Sequence, residues 1–156
     1  MSRPAATDTL ERTGKRERIL RAAVEVFAES GYFNSKVSAI AKAAGVADGT
    51  IYLYFSGKED LLVTIFRDQM NAFLMLLDQE LSKESDPAGR LRKLVEVHLR
   101  ASGQDRDLAI VFQVELRHTL KFMSLFSHEA LADYLQLIRA LIEQGQREGS
   151  FRAEIH

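Results

Sequence analysis

Apolar residues recur at steps of three and four along almost the whole chain, and this repeat limits the fold more than any other feature of the sequence. Such steps place side chains on one face of an α-helix. The longest stripe runs through Leu62, Ile65, Phe66, Met70, Phe73, Leu77 and Leu81. The alternation typical of strands is missing, and the Asp48-Gly49 pair, a hairpin-type signal, lies inside a helical segment. The sequence therefore predicts an all-α fold.

Glycine, proline and short polar segments divide this pattern into separate helices. The predicted helices cover residues 15–30, 35–44, 47–54, 58–83, 88–102, 107–122 and 127–147. Ser35 is the expected N-cap of the second helix, and Gly31 and Gly45 are the expected C-caps of the first two. Residues 1–14 are polar and lack the repeat, so we expect a flexible arm there. The predicted organisation is an arm (1–14), a three-helix head (15–57) and a helical body (58–156).

The composition of the chain argues against several kinds of site and several classes of protein. The chain has no cysteine and no tryptophan, so a disulfide framework, a thiolate metal site and a cysteine nucleophile are all excluded. It contains no run of about 18 apolar residues, which argues against a membrane span. The first thirty residues carry several basic side chains and no apolar core of a signal peptide. We therefore expect a soluble cytoplasmic protein with no membrane partner.

The net charge of -1 argues against a general coat for nucleic acid, so charge has to be considered locally. One basic patch lies at the start of the first predicted helix. It consists of Arg12, Lys15, Arg16, Arg18 and Arg21, with Glu17 among them. This patch could face phosphates, or it could be an ordinary solvated helix face.

A helix-turn-helix signal covers residues 36–55. Its two helices cross closely, which requires a small residue in the first helix, a glycine at the turn and an apolar residue beneath the second. Ala41, Gly45 and Ile51 meet these requirements. The second helix would then expose Thr50, Tyr52 and Tyr54, whose hydroxyls suit contacts with phosphates and base edges. It contains no arginine or lysine, so bidentate recognition of guanine is excluded within it.

The segments around this motif resemble the N-terminal signature of the tetracycline-repressor (TetR) family. The matching segments are Gly31-Tyr32-Phe33, Val37, Ile40-Ala41, Ala44-Gly45-Val46, Gly49-Thr50-Ile51-Tyr52, Tyr54-Phe55 and Lys58-Glu59-Asp60-Leu61-Leu62. The resemblance implies a DNA-binding head followed by a ligand-sensing body that forms a homodimer on an inverted repeat. It also implies DNA contacts, and these would come from Ser35, Lys36, Ala47, Gly49, Thr50, Tyr52, Tyr54 and Lys58. Ala47 departs from the family's usual serine cap, which leaves Asp48 to serve the start of the helix.

Evidence for an enzyme or a metal site is weak. His98, His118, His128 and His156 lie on different predicted segments, and no metal-binding pair, carboxylate pair or phosphate loop accompanies them. We expect no catalytic residue, no metal and no cofactor, and we interpret these histidines as surface or satisfied core residues. The apolar side chains of the body are first of all core, although some could line an inducer cavity.

A narrower resemblance concerns the FadR-type regulators of fatty-acid degradation. It depends on residues 46–55 of the head and, in the body, on residues 108–111 and 115–117. It implies a repressor of fatty-acid degradation genes that long-chain acyl-CoA releases from its operator. An acyl chain needs an apolar tunnel, and the phosphates of CoA need basic groups at its mouth. The candidate ligand residues are Phe112, Leu116, Arg117, Arg106 and Lys121.

Alternatives stay open at this point. The inducer could be another hydrophobic compound, such as a drug or a different lipid. The chain could instead be an acyl-CoA-binding protein or an enzyme that retains a helix-turn-helix, or an architectural DNA protein without a ligand. Family members usually continue through about two more helices, so we expect this chain to be truncated relative to the natural protein.

Overall fold

A computed structural model describes the backbone of residues 5–112 and 128–154, and side chains within residues 12–112 and 131–154. The helices are α1 (Ala5–Ser30), α2 (Val37–Ala44), α3 (Asp48–Ile51), α4 (Lys58–Leu81), α5 (Pro87–Gln104), α6 (Arg106–Ile110) and α7 (His128–Arg147). Within the described part of the chain there is no strand. The prediction of an all-α fold is confirmed.

The chain forms two compact units. Of the described residues, the first unit contains 5–66 and 107–112, and the second contains 67–106 and 128–154. The predicted head ended at residue 57, whereas the first unit continues through the first two turns of α4. The reason is that Leu61, Leu62 and Ile65 bury their side chains almost completely. Helix α4 therefore contributes residues to both units.

The core of the first unit comes from the helices of the head. Helix α1 buries Ile19, Ala23 and Phe27, and α2 packs against α1. An aromatic contact in this unit joins Phe66 to Phe112. The two rings are stacked, with their centroids 5.2 Å apart. Burial of apolar side chains holds the short helix α2 in place, because about two turns of helix are not stable alone.

The second unit has its own core between α4, α5 and α7. Its buried members are Leu77, Leu81, Leu94, Val97 and Leu141. Partly buried apolar side chains pack around them, namely Phe73, Leu91, Tyr134, Leu137 and Ile138. Because α5 and α7 pack along each other, one face of each is occupied within this unit.

Helix α5 begins where the sequence places a break. Pro87 occupies the first turn, and the Asp86 side chain accepts a hydrogen bond from the Gly89 backbone N–H at 2.9 Å. This arrangement satisfies one of the amide groups that a helix start leaves without a partner. The helix starts one residue before the predicted position and ends at Gln104, two residues after the predicted end.

One local prediction is wrong, and another is not tested. The flexible arm predicted for residues 1–14 stays a prediction, and residues 5–14 belong to α1. Leu10, Glu11, Arg12, Lys15 and Arg16 are good helix formers on either side of Gly14, whereas one glycine within a helix costs about 1 kcal/mol. Ser35 was expected to cap α2, but the N-cap is Lys36, which makes no side-chain cap bond. The Ser35 hydroxyl instead donates to the Tyr32 carbonyl at 2.6 Å.

The sixth predicted helix, 107–122, is only partly within the described residues. Helix α6 covers Arg106–Ile110, and residues 111–112 take a wider π-helical turn. The other helices that the sequence predicted in the body agree closely with α4, α5 and α7. None of the helices among the described residues has an apolar stretch long enough to cross a membrane.

Candidate DNA-binding and ligand-binding sites

The turn between α2 and α3 has the geometry that a helix-turn-helix needs. Gly45 adopts φ 66° and ψ 38°, the left-handed conformation that a side chain disfavours. The Val46 N–H then donates to the Ala41 carbonyl at 3.0 Å, which closes the end of α2. Ala41 and Ile51 are fully buried, as the sequence predicted for the small residue and the apolar support.

Helix α3 is a single turn, shorter than the predicted segment 47–54. Ala47 is its N-cap and makes no side-chain bond, which is expected because alanine has no acceptor. After Ile51 the backbone turns, and the Phe55 N–H donates to the Ile51 carbonyl at 2.9 Å. Ile51 and Phe55 both bury their side chains in the core of the first unit.

The outer face of α3 and the following turn is open to solvent. The Tyr52 side chain is 59% exposed, Thr50 and Tyr54 are half-buried, and Gly49 is exposed. A Cβ added to Gly49 would meet no heavy atom within 4 Å, so the fold itself does not require glycine there. The site predictions for Ala47, Gly49, Thr50, Tyr52 and Tyr54 therefore stay compatible with the structure.

Sequence reasoning missed two exposed apolar residues in the head. Leu53 lies between the two predicted tyrosine contacts and is 76% exposed. Phe33 lies in the turn between α1 and α2 and is also mostly exposed. Both residues lie in segments that carry the family resemblance, but the resemblance gave neither a DNA contact, and periodicity alone assigns most apolar residues to a core. Their exposure next to polar candidates is the signal that marks them.

Ser35 and Lys58 are placed differently from what the resemblance implied. The Ser35 side chain is 5% exposed and its hydroxyl is bonded to Tyr32, so it presents no group to a phosphate. The Lys58 ammonium donates to the carbonyls of Tyr32, Phe33 and Ser35 at 2.7, 3.0 and 3.1 Å. It also lies 4.6 Å from the centre of the Tyr32 ring. Lys36, by contrast, is exposed at the start of α2.

The basic patch on α1 is divided between solvent and internal contacts. Arg12 and Arg18 are exposed. The Arg16 guanidinium lies 5.8 Å from the centre of the Phe55 ring, a cation–π contact. Arg21 pairs with Glu25 on the next turn at 3.3 Å. Arg16 and Arg21 therefore make contacts within the head, and Arg12 and Arg18 are the exposed arginines of the patch that remain as candidates to face an anionic partner.

In the second unit, an aromatic cluster joins α4, α5 and α7. The Tyr134 hydroxyl and His98 Nδ1 are 3.1 Å apart. The Phe73 ring lies edge-on to the His98 ring and is tilted relative to the Tyr134 ring. Burial raises the pKa of Tyr134 above its ordinary value. His98 is exposed and hydrogen-bonded, in agreement with the prediction of a surface or satisfied histidine. In the described portion of the chain, no three histidine or carboxylate side chains are grouped as metal ligands.

A groove of about 580 Å³ lies on the second unit beside α4, α5 and α7. Its lining includes Leu137 and Leu141 together with Asp78, Arg90 and Asp133. The volume falls in the range of roughly 300–1,000 Å³ that is typical of small-molecule sites. Of the predicted ligand residues, Arg106 and Phe112 are within the described part of the chain, and neither belongs to this lining.

Of the five predicted ligand residues, the structure describes Arg106 and Phe112. Arg106 is exposed at the start of α6 and belongs to the second unit, whereas Phe112 is half-buried against Phe66 in the first. Leu116, Arg117 and Lys121 lie outside the described residues. Their role as a ligand site stays a prediction.

Comparison with protein families gives two adjoining matches that together cover most of the chain. Residues 19–65 match the model described as bacterial regulatory proteins, tetR family. Residues 66–156 match the model described as the C-terminal region of YsiA-like protein. The first match contains α2, α3 and their turn, and the second contains the aromatic cluster and the groove.

Similar proteins are found among regulators of fatty-acid metabolism. The fatty acid metabolism regulator protein of Bacillus subtilis is 39% identical over 134 residues, which are 86% of this chain and 69% of that protein. The structure of the fatty acid degradation regulator FadR from Bacillus halodurans has a TM-score of 0.84 and 42% identity, covering 91% of this chain and 74% of that one. The FadR structure from Bacillus subtilis, solved in complex with stearoyl-CoA, has a TM-score of 0.82 and 38% identity, covering 90% of this chain and 75% of that one. With these matches, the chain belongs to the tetR family of bacterial regulatory proteins.

Proposed function

We propose that this protein is a transcriptional repressor of fatty-acid degradation genes that leaves its operator when it binds a long-chain acyl-CoA. The observation that carries this proposal is the likeness to FadR along about nine-tenths of the chain, because one of those structures holds stearoyl-CoA. The exposed outer face of α3 supports the DNA-binding part of the proposal. A protein with this task works in the bacterial cytoplasm, where it meets both chromosome and metabolite.

The proposed DNA contacts are Lys36, Ala47, Gly49, Thr50, Tyr52 and Tyr54. Lys36 is exposed and would meet a phosphate at the start of α2. Tyr52 and Thr50 would touch base edges and thymine methyl groups, because α3 offers no arginine or lysine for guanine. Sequence-dependent DNA shape would add the remaining discrimination. The exposed arginines of α1, Arg12 and Arg18, are further candidates for phosphate contacts.

Binding as a homodimer to an inverted repeat follows from the small size of this interface. One turn of helix without basic base-reading side chains gives a single head little specificity. Two heads on half-sites about one helical turn apart, or a multiple of it, would add their contributions. Footprinting that shows a single half-site protected by a monomer would contradict this part of the proposal.

Induction requires the ligand to bind two conformations of the repressor unequally. We propose that helix α4 couples ligand binding to DNA binding, because it starts in the first unit and continues into the second. A change in the tilt of α4 would alter the spacing of two paired heads, and a rigid operator would then fit only one spacing. A hundredfold loss of operator affinity needs a coupling free energy of about 2.7 kcal/mol, which is usual for such switches.

The acyl-CoA contacts that we propose combine apolar and basic groups. Phe112 and Leu116 would meet the acyl chain, and Arg106, Arg117 and Lys121 would meet the phosphates of CoA. This assignment rests on their residue types and on the resemblance to the FadR group, since Arg106 and Phe112 are the two of these residues that the structure describes.

The test uses a DNA duplex that the protein selects from a random-sequence pool. Stearoyl-CoA and free CoA are titrated into the complex, and calorimetry measures stearoyl-CoA binding with and without the duplex. We expect stearoyl-CoA, but not free CoA, to release the DNA, and the duplex to weaken stearoyl-CoA binding by the same factor. Release by fatty alcohols or drugs alone would favour a different hydrophobic inducer. Steady turnover of stearoyl-CoA would instead indicate an enzyme.

A further inference from the structure

Asp48 carries an exposed carboxylate on α3, next to the residues that we propose to contact DNA. It is the first residue of this helix, and its neighbour Gly49 is exposed as well. Tyr52 follows four residues later and keeps a helical backbone conformation at the C-cap. Residues four apart lie on the same face of a helical turn. The Asp48 carboxylate therefore lies on the same side of α3 as the exposed tyrosine.

This carboxylate is not used within the protein. Among the residues that the structure describes, it takes part in no hydrogen bond or ion pair, and no side chain caps the start of α3. A negative charge in a first helical turn suits the helix dipole, but the dipole of a single turn is small because few peptide groups add to it.

A carboxylate close to DNA has a cost. Its charge repels the phosphates of any sequence, so it weakens binding unless a specific contact compensates. On the outer face of α3, that contact has to come from a group that donates a hydrogen bond to the carboxylate. Such donors are found on the base edges and not on the phosphates.

The major groove limits which base this can be. An ionised carboxylate only accepts hydrogen bonds. Guanine and thymine present oxygen or nitrogen acceptors that repel it, whereas cytosine presents its 4-amino group as a donor. Adenine presents a 6-amino donor beside the N7 acceptor, so a carboxylate gains one hydrogen bond there and meets one repulsion. Cytosine is therefore the base that an aspartate favours.

A contact with cytosine would also supply what the rest of α3 lacks. The helix and the turn after it contain no arginine or lysine for guanine, so a G·C pair has to be recognised from its cytosine. A Cβ added to Gly49 would meet no heavy atom within 4 Å, so the surface beside Asp48 is open. The backbone can approach the groove closely there, and a side chain as short as aspartate can reach a base edge.

We propose that Asp48 is a specificity-determining residue: its carboxylate accepts a hydrogen bond from the 4-amino group of a cytosine in each operator half-site and thereby selects a C·G pair. The inference rests on the proposed function, because it names a base pair that the DNA-binding surface recognises. It adds one residue to the predicted DNA contacts, a residue that the sequence pattern linked only to the start of α3.

Two substitutions and one control distinguish base recognition from a general effect of charge. Asp48→Asn keeps the shape of the side chain, and an asparagine amide pairs with N6 and N7 of adenine. Asp48→Ala removes the polar group. Glu59→Gln is the matched control, because Glu59 is another exposed carboxylate of the first unit and its substitution also removes one negative charge.

Each protein first selects duplexes from the random-sequence pool. Fluorescence anisotropy then measures its affinity for duplexes that carry each of the four base pairs at the position concerned. For the wild type we expect a preference for C·G at one position of each half-site, with a loss of about fivefold to more than a hundredfold for the other pairs.

The variants should differ from one another at that position. Asp48→Asn should prefer A·T, with adenine in place of the cytosine, and Asp48→Ala should lose the preference for C·G. Glu59→Gln should keep the wild-type preference. A change confined to the two Asp48 variants would show that a hydrogen bond, and not the loss of charge, selects the base.

An unchanged base preference in both Asp48 variants would overturn the inference. So would equal weakening of all duplexes together with a lower urea midpoint, because Asp48 would then only stabilise the start of α3. If Asp48→Asn does not fold, Asp48→Ala still tests the loss of the C·G preference. A wild type that selects no sequence from the pool would instead refute the proposed function, and it would be seen before any variant is made.

Discussion

Replacing Gly49 by alanine should stabilise the protein and weaken its binding to DNA. Gly49 lies within helix α3, and it is not one of the glycines that the described residues hold at positive φ. A Cβ at this position meets no heavy atom within 4 Å. Alanine therefore causes no clash, and it removes the entropic cost of glycine in a helix, which is about 0.5–1 kcal/mol. Because α3 is a single turn, we expect the lower part of this range, about 0.5 kcal/mol.

The DNA complex should respond in the opposite direction. Glycine on the exposed face of a recognition helix allows the backbone to approach a DNA surface closely, and a methyl group would occupy that space. Overpacking a close contact costs about 1–3 kcal/mol, which corresponds to a loss of affinity between about fivefold and more than a hundredfold.

The two effects are measured separately, by urea unfolding followed by circular dichroism and by fluorescence anisotropy with the selected duplex. Gly103→Ala is the matched control, because Gly103 is an exposed glycine in α5 whose added Cβ also meets nothing within 4 Å. It should not change DNA affinity. If Gly49→Ala bound the duplex as tightly as the wild type, the outer face of α3 would not be the surface of closest approach. If it lowered stability, the reasoning about local space would be wrong.

Three further substitutions test the head and the end of α7. Tyr52→Ala should change stability by less than about 0.5 kcal/mol, since the side chain is largely exposed, but weaken binding to the selected duplex by about 1–3 kcal/mol and reduce sequence preference; wild-type selectivity in the same anisotropy assay would rule out the recognition assignment. Gly45→Ala should lower the free energy of unfolding by about 1–2 kcal/mol, because the residue is left-handed at φ 66°, and an unchanged urea midpoint would contradict the cap geometry. Gly145→Ala should destabilise by about 1–3 kcal/mol, because the added Cβ would lie 2.0 Å from the Phe151 ring. In a Phe151→Ala background the same change should instead stabilise by about 0.5–1 kcal/mol, and persistence of the destabilisation there would show that the ring is not its cause.

The helices of the body illustrate what a sequence pattern predicts well. The stripe from Leu62 to Leu81 predicted a helix over 58–83, and the structure has α4 at Lys58–Leu81. Asp86 and Pro87 predicted a break, and the structure begins α5 there. These predictions succeed because a helix repeats every 3.6 residues and because caps act over three or four residues. Both are local properties of the chain.

The contacts that Ser35 and Lys58 make within the head could not be predicted in this way. The family pattern implied DNA contacts for both residues, and that role stays a prediction. In the structure both turn inward, and Lys58 bonds to carbonyls that lie 23 to 26 residues earlier in the sequence. Which partner a flexible, charged side chain chooses depends on which groups the folded chain brings within its reach. A residue type at a motif position does not contain that information.

The sequence by itself determined the class of fold, the helix-turn-helix over residues 36–55 and the family to which the chain belongs, because periodicity, cap residues and motif spacing are all local. Only the tertiary structure decided that α1 includes residues 5–14, that the first unit continues through Phe66, and which polar side chains of the head remain open to a partner. Those outcomes depend on the burial of apolar surface and on hydrogen bonds between distant segments, which come into being only when the helices pack together.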